Sequence, residues 1–321
     1  MMDSGAEDQK EQLEWTWKLH TEPANMKLRK GAAVSHGDTA YFHPRDSQKV
    51  LKYKNKWSTL LECPQQNFGL AIVDDLLTAV GGKADGVAAN RLMSFTENEW
   101  KEQLPAMSTK REMPAVIRVN NFLIAVGGIG EEGELLSSVE VMNIDTREWY
   151  PAASLPEPVY AMSATIAKGR LYLLGGYGRH GPTRTVFSCP IDSLINPQSE
   201  SPHDIEATAI TSTNKATIWH SMADLPVTLS TCVTLSDRVV AVGGSDSDGN
   251  STDAVRMYDP QPNKWLVVGC MPTARSECLA VTVQKNIITA GGYSTAKWSE
   301  KVEVGSLQLP GDIYIVISTC T

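Results

Sequence analysis

Five short apolar runs, each ending in two glycines, decide how this chain folds: LLTAVGG at 76–82, FLIAVGG at 122–128, LYLLGG at 171–176, VVAVGG at 239–244 and NIITAGG at 286–292. The glycine pairs begin at 81, 127, 175, 243 and 291, so three of the four intervals are 46, 48 and 48 residues. Self-similarity at a fixed period is the signature of a repeat architecture. We therefore predict a chain built from repeated sheets of about 50 residues each.

A tryptophan follows most of these runs, after an alternating segment and a turn, as in SVEVMNIDTREW at 138–149 and AVRMYDPQPNKW at 254–265. Alternation of apolar and polar residues predicts a strand with two differently solvated faces. Four of the tryptophans have a proline seven residues later. The tryptophans expected on the outer strands of successive sheets are Trp57, Trp100, Trp149, Trp219 and Trp265.

This combined pattern resembles the kelch repeat, and the resemblance covers residues 13–309. It implies an all-β fold, a six-bladed kelch β-propeller in which a glycine pair ends the second strand of each blade. The first blade has DTAYFHP at 38–44 in place of the glycines, and we interpret it as a degenerate blade. The glycines that mark the remaining blades are Gly81, Gly82, Gly127, Gly128, Gly175, Gly176, Gly243, Gly244, Gly291 and Gly292.

The last blade lacks an outer strand, because the alternating KVEVGSLQ at 301–308 is followed by no tryptophan. The segment LEWTWKLH at 13–20, with Trp17, has the expected pattern of that missing strand. We therefore expect the N-terminal strand to complete the C-terminal blade, which closes the ring noncovalently and leaves no open end.

Other segments do not fit the repeat. We expect a disordered acidic N-terminus at 1–12 and a C-terminal tail at 310–321. The interval from Gly175 to Trp219 is 44 residues, against 22 from Gly127 to Trp149. The extra residues, at about 194–215, are polar and rich in hydroxyl groups, which is typical of a mobile loop.

The composition excludes several classes of function. A net charge of -8 without a basic block disfavours nucleic-acid binding, which depends on clustered Lys and Arg. No apolar run is long enough for a signal peptide or a membrane span, so we expect a cytoplasmic protein. Six scattered cysteines without a CxxC pair favour buried free thiols. Six histidines without a ligand spacing predict no metal and no cofactor.

The kelch resemblance implies that the loops between the second and third strands lie on one face with the segments that enter each blade. The Arg275-Ser276 pair matches the Arg-Ser pair with which many kelch proteins grip peptides. Arginine binds carboxylates through two parallel hydrogen bonds, and tyrosine supplies rigid contact area. The predicted ligand-binding residues are Arg275, Ser276, Tyr293, Tyr177, Arg111, Lys83, Ser245, Arg179 and Asn67.

By this resemblance the chain is a monomeric protein-interaction module, not an enzyme, that binds a peptide or loop of a partner protein. It acts as a scaffold or as a ubiquitin-ligase substrate receptor, although the receptors of that family carry BTB and BACK domains before the propeller. Here only residues 1–12 precede it. The alternative is a propeller enzyme acting on a sugar or small molecule in the central pocket, similar to sialic-acid epimerases. Glu112 or Glu131 is then the candidate general base.

Overall fold

The computed structural model describes residues 14–20, 28–54, 56–195, 218–294, 297–298 and 302–308. Strand β1 spans Glu14–His20. Nearly all the other elements are antiparallel strands, which form four-stranded sheets around a central axis. The predicted all-β propeller is therefore confirmed.

Five blades are each built from strands that follow one another along the chain. Blade 1 contains β2 (Ala32–His36), β3 (Thr39–His43), β4 (Leu51–Lys54) and β5 (Lys56–Thr59). Blade 2 contains β6 (Gly69–Val73), β7 (Leu76–Ala84), β8 (Val87–Thr96) and β9 (Glu99–Leu104). Blade 3 contains β10 (Ala115–Val119), β11 (Phe122–Val126), β12 (Val139–Asn143) and β13 (Glu148–Ala152).

Blade 4 starts with β14 (Ser163–Ala167) and β15 (Arg170–Leu174). A small hairpin of β16 (Tyr177–Gly178) and β17 (Gly181–Pro182) follows. The blade then continues with β18 (Val186–Pro190), helix α1 (Ile191–Ile195) and β19 (His220–Ser221). Blade 5 contains β20 (Thr231–Leu235), β21 (Arg238–Val242), β22 (Ala254–Asp259) and β23 (Lys264–Cys270).

A further four-stranded sheet joins the two ends of the chain, and we call it the terminal sheet. It has the strand order β24 (Leu279–Val283), β25 (Asn286–Ala290), β28 (Val302–Gln308) and β1. Strand β1 pairs antiparallel with β28, with Trp17 opposite Gly305. A short hairpin of β26 (Tyr293–Ser294) and β27 (Lys297–Trp298) lies between β25 and β28 in sequence.

Three predicted segments lie outside the described residues: the N-terminus at 1–12, the tail at 310–321 and most of the insertion at about 194–215. At the start of that insertion the chain is helical, because α1 begins directly after β18.

The glycine pairs are explained by two close approaches of backbone. Both Gly243 and Gly244 have positive φ, 62° and 117°. A Cβ on Gly243 would lie 2.3 Å from the carbonyl oxygen of Arg275 in the next sheet, and one on Gly244 would lie 2.7 Å from that of Thr228 in its own blade. The first glycine therefore leaves room for the backbone of the neighbouring sheet. The second leaves room for the backbone of the segment that enters its own blade.

The tryptophans connect each blade to the one before it. The indole Nε1 of Trp149 donates to the carbonyl oxygen of Pro105 at 2.9 Å, directly after the outer strand of blade 2. Equivalent bonds run from Trp100, Trp219 and Trp265 to Leu61, Ala153 and Ala223, at 2.7, 2.9 and 2.9 Å. The buried Nε1 of Trp57 has no partner within the described ranges. The predicted marker Trp17 lies in β1.

The buried apolar side chains form clusters between neighbouring sheets. In one cluster Phe42 and Tyr53 of blade 1 pack with Leu279 and Ile288 of the terminal sheet. The ring is therefore joined by core packing as well as by strand pairing.

Blade 1 is a complete sheet without a glycine pair, as its degenerate sequence predicted. His43 stands where the glycines occur elsewhere, and its ring stacks on Phe68 of blade 2 with centroids 3.6 Å apart. An aromatic contact thus takes the place of a backbone contact at this junction.

Candidate functional site

The loops predicted to share one face do so, because each pairs with the segment that enters the same blade. Backbone bridges join Gln66 to Lys83, Glu112 to Ile129, Tyr160 to Tyr177, Thr228 to Ser245 and Ser276 to Tyr293. In the last pair the two amide-to-carbonyl distances are 3.0 and 2.7 Å. The pairing extends the inner ladder of each blade and fixes the direction of the residues at the mouth of the ring.

The nine predicted contact residues fall into two groups by exposure. Arg111, Arg275, Ser276, Ser245 and Asn67 are buried below the face. Lys83, Tyr177 and Tyr293 are half-buried, and Arg179 is exposed. Only the second group offers side-chain surface to a ligand.

Arg111 is fully buried, and its guanidinium is occupied by the protein itself. It donates to the carbonyl oxygens of Gly127 and Ser138 at 2.8 and 3.1 Å, and forms an ion pair with Glu140 at 2.6 Å. These bonds hold the loop that follows the glycine pair of blade 3, and direct contact of Arg111 with a ligand stays a prediction.

Hydrogen bonds also determine the charge state of Glu140, the ion-pair partner of Arg111. Burial alone would raise its pKa, but hydrogen bonds from Arg111 and from the amides of Ser108 and Thr109 hold the pKa below its usual value. The carboxylate therefore stays charged opposite the arginine.

Arg275 has the equivalent position three sheets further round, at the entry of the terminal sheet. Its side chain is also fully buried, and Nη1 donates to the carbonyl oxygen of Gly291 at 2.8 Å. The adjacent Ser276 hydroxyl lies 3.2 Å from that of Ser251. The Arg275-Ser276 pair thus supports the loops of the face from below, and its direct contact with a ligand stays a prediction.

A network of charged and polar groups surrounds the mouth. Glu112 accepts a hydrogen bond from Asn67 Nδ2 at 2.8 Å and forms an ion pair with Lys83 at 3.5 Å. Asn67 also donates to Asp46 at 3.2 Å, and Asp46 lies 3.5 Å from Arg29. The network joins blades 1, 2 and 3 and holds Asn67 and Lys83 in place.

Tyr177 extends across the mouth of the ring. Its ring stacks on Tyr160 with centroids 5.2 Å apart, and its hydroxyl donates to Glu277 at the start of the terminal sheet. The guanidinium carbon of Arg45 in blade 1 lies 5.5 Å from the ring centroid. Burial and the neighbouring Glu277 carboxylate raise the pKa of Tyr177, so it remains a hydrogen-bond donor.

Four members of this arrangement were not predicted from the sequence: Arg29, Arg45, Asp46 and Glu277. Three of them belong to blade 1, where no glycine pair marks the end of β3. The fourth, Glu277, directly follows the Arg275-Ser276 pair in the sequence, and this adjacency is the only sequence feature that could have predicted its place near the mouth.

A cavity of 550 Å³ lies on the axis of the ring, away from the mouth. It is lined by the first strands of the blades, including Ala71, Ile117, Thr165 and Thr282. The alternative general bases are elsewhere: Glu112 is bound in the network above, and exposed Glu131 pairs with Lys110 at 2.6 Å.

The remaining sequence expectations concern metals, thiols and membranes. Within the described ranges, no three His, Cys, Asp or Glu residues are placed to hold a metal ion.

Four cysteines are buried free thiols: Cys63, Cys189, Cys232 and Cys278. Cys270 is disulfide-bonded, which corrects the expectation for that residue. No helix in the described part of the chain has the length and apolarity to span a bilayer.

Comparison with known proteins agrees with this architecture. The Kelch motif model matches residues 110–156 and 226–272. Kelch-like protein 36 of Rattus norvegicus is 28% identical over 281 residues, covering 83% of this chain and 41% of the relative. Kelch-like protein 23 of Homo sapiens is 24% identical over 266 residues, covering 80% and 43%.

The chain thus spans about two fifths of the length of these relatives. Among solved structures, that of YjhT superposes with a TM-score of 0.68 at 13% identity, covering 93% of this chain and 99% of YjhT. The fold is shared at this level of identity. The chain thus contains two matched Kelch motifs, is similar to Kelch-like proteins over most of its length, and has the sheet topology of a β-propeller.

Proposed function

We propose that this chain is a protein-interaction module that binds a peptide or loop of a partner protein on the face around Tyr177. It acts as a monomer in the cytoplasm, as a scaffold or as a ubiquitin-ligase substrate receptor, and catalyses no reaction. The observation that carries the proposal is the set of backbone bridges that fixes half-buried Lys83, Tyr177 and Tyr293 on one surface. The likeness to Kelch-like proteins supports an interaction role.

The charges of this face describe the expected ligand. Lys83 and Arg179 are accessible cations, and Asp46 and Glu131 are accessible carboxylates. A ligand that carries charges of only one sign would be repelled by two of these four groups. We therefore expect the bound segment to carry both signs of charge, together with an apolar or aromatic residue that packs on the tyrosines.

Proximity labelling in cells tests this proposal with two variants of one blade. Arg179→Glu reverses a charge on the proposed face, and Lys168→Glu reverses one on the turn between β14 and β15, on the opposite rim. We expect Arg179→Glu to lose at least one labelled partner that the wild type and Lys168→Glu both retain. Identical partner sets for all three proteins would contradict the proposal.

The enzyme alternative has its own outcome in the same series. The enzyme alternative would be supported if the wild-type protein turned over a sugar substrate and the folded Glu112→Gln variant did not. That result would contradict the proposal of an interaction module without catalytic activity. The position of Glu112 in a network with Lys83 and Asn67 does not favour that outcome.

We also propose that the ring has six blades, with the terminal sheet as the sixth. The shared core of the terminal sheet and blade 1 supports this closure. Deleting residues 1–20 would remove the partner of β28 and leave its edge unpaired. We expect the truncated chain to associate in sedimentation experiments, and a stable monomer would contradict the closure.

A further inference from the structure

An arginine lies at the outer end of the 550 Å³ axial cavity. The first strands of the five blades and of the terminal sheet line this cavity, and each runs from the mouth toward the opposite rim. Arg118 is the one charged residue of the cavity wall in the described part of the chain. The wall residues that stand one position before the end of their strands form what we call the outer layer: Ser35, Ile72, Arg118, Thr234 and Thr282.

Two hydrogen bonds hold the Arg118 guanidinium in place and leave its other donors free. Nε donates to the carbonyl oxygen of Asn120 at 2.9 Å, and Nη1 donates to that of Ile72 in blade 2 at 3.1 Å. A guanidinium has five N–H donors, so three remain, and no residue in the described ranges accepts a bond from them. The side chain is exposed at the cavity wall. Because Nη1 and Nη2 together can donate two parallel bonds, a carboxylate fits this group.

The threonines of the outer layer have already used their donors. Thr234 Oγ1 donates to the carbonyl oxygen of Ile166 at 2.5 Å, and Thr282 Oγ1 donates to that of Thr234 at 2.7 Å. A hydroxyl has a single proton to donate, so neither side chain can donate to a ligand as well. Arg118 therefore provides the N–H donors for an anionic group in this layer.

Neighbouring carboxylates on the turns of this rim do not neutralise Arg118. Asp74 forms an ion pair with Arg147. Asp237 accepts a hydrogen bond from the amide of Lys168 at 2.7 Å. Neither carboxylate belongs to the cavity wall. An anion in the cavity would thus meet the guanidinium before it meets either of these negative charges.

The same cavity is apolar further inside. Two positions closer to the mouth on the same strands, the wall is formed by what we call the inner layer: Ala33, Leu70, Val116, Ala164, Cys232 and Ala280. A strand rises by about 3.3 Å per residue, so the two layers lie about 7 Å apart along the axis. The cavity therefore has a cation at its outer end and an apolar wall behind it. Such a wall favours an apolar group, because burial removes that group from water.

From this arrangement we infer that the axial cavity binds a small organic carboxylate, with its carboxylate group on Arg118 and an apolar ring in the inner layer. The volume of 550 Å³ lies within the range of about 300–1,000 Å³ that is usual for small-molecule sites. The site opens at the rim opposite the Tyr177 face. It is therefore separate from the proposed protein-binding face and does not depend on it.

Isothermal titration calorimetry on the full chain at neutral pH tests this inference with two probes of one shape. 2-Naphthoate carries a carboxylate on an apolar double ring, and 2-naphthamide carries an uncharged amide on the same ring. We expect saturable binding of 2-naphthoate, with an affinity at least about tenfold higher than that of 2-naphthamide, because a charge-assisted pair is stronger than a neutral hydrogen bond. Absence of saturable binding by 2-naphthoate, or equal affinities of the two probes, would overturn the inference.

Arg118→Gln shows where the carboxylate binds. Glutamine removes the positive charge, so the affinity for 2-naphthoate should fall at least about tenfold, whereas that for 2-naphthamide should stay within about twofold of the wild type. The matched control is Arg238→Gln, which removes a cation from the start of β21 at the same rim but outside the cavity wall. We expect wild-type affinities for that control. An equal loss of 2-naphthoate binding in both variants would overturn the site, because net charge alone would then account for the binding.

Ala164→Leu tests the position of the apolar ring. Ala164 is half-buried in the inner layer, and a leucine there would occupy part of the space assigned to the ring. Both probes should then bind at least about tenfold more weakly. Unchanged affinities in the folded variant would contradict the assignment of the ring to the inner layer. If this variant does not fold, the comparison of the two probes on the wild type and on Arg118→Gln still decides.

Discussion

The amide of Gly292 donates a hydrogen bond to the carbonyl oxygen of Leu28 at 2.8 Å, and this contact joins the terminal sheet to the entry of blade 1. The preceding glycine is equally constrained. A Cβ on Gly291 would lie 2.2 Å from the Leu28 Cβ and 2.3 Å from its carbonyl oxygen. The seam between the two ends of the chain therefore depends on a missing side chain.

Gly291→Ala should open this seam. Its φ of +66° is unfavourable for alanine, and the new methyl group overlaps Leu28. We expect a loss of about 3 kcal/mol or more in the free energy of unfolding by urea, since strain and overpacking act together.

The matched control for the seam is Gly37→Ala. Gly37 has a similar φ of +59°, but nothing lies within 4 Å of the added Cβ. We expect a loss of about 1–2 kcal/mol from the backbone conformation alone. Equal losses for the two variants would show that Leu28 does not restrict Gly291.

The bond from Trp149 to Pro105 predicts two separable contributions to stability. Trp149→Ala should cost about 3–5 kcal/mol, because a large half-buried ring is removed from between blades 2 and 3. Trp149→Phe keeps most of the apolar area and loses the indole donor, so about 1 kcal/mol is expected. Urea titrations of both variants measure the difference, and an unchanged midpoint for Trp149→Ala would disprove the bridging role.

The buried pair of Arg111 and Glu140 predicts a strong dependence of one partner on the other. Arg111→Leu leaves the Glu140 carboxylate buried without its cation, and should cost about 3–5 kcal/mol. The double variant Arg111→Leu/Glu140→Leu removes both charges and should regain much of that loss. A double variant as unstable as the sum of both single ones would show that the two residues act independently.

His43 predicts a pH dependence of stability. Burial lowers its pKa to about 4, whereas an unfolded chain keeps the ordinary value of 6.5. The folded state therefore binds the proton more weakly, so the contribution is present above pH 6.5 and is lost as the pH falls toward 4. We expect His43 to account for a loss of about 2–3 kcal/mol between pH 7 and pH 4.5.

His43→Phe isolates this contribution. Phenylalanine keeps an aromatic ring against Phe68 but does not titrate, and it forfeits the 3.1 Å hydrogen bond of Nδ1 to the Lys49 carbonyl at every pH. The wild-type free energy of unfolding minus that of the variant should therefore fall by about 2–3 kcal/mol between pH 7 and pH 4.5, because only the wild type loses the His43 contribution. A constant difference from pH 7 to pH 4.5 would assign the acid sensitivity to other groups.

Much of the fold could be predicted because its constraints are local. The glycine pair near Gly243 and the tryptophan at Trp265 each satisfy a contact that every blade repeats, so they recur at a constant spacing. Blade 1 was identifiable without glycines because VLKYKNKW kept the alternating strand and its tryptophan.

The site was predictable only as a face. The spacing of the repeats placed Arg111 beside the mouth. Its side chain is buried because it donates to the carbonyl oxygens of Gly127 and Ser138, and the periodicity of the sequence does not predict these bonds. The contribution of Arg45 was missed because its contact with Tyr177 joins blades that are distant in sequence. Contacts across the axis depend on the closed ring and leave no local pattern.

The tryptophan bonds all point the same way, since Trp100, Trp149, Trp219 and Trp265 each reach back to the preceding blade. A single blade moved by gene duplication would carry its own donor but depend on a foreign neighbour for the acceptor. Relocating the chain ends to the exposed Asp85-Gly86 turn, by contrast, leaves every one of these bonds inside the protein. Circular permutation at this turn should therefore leave the bonds between neighbouring blades intact.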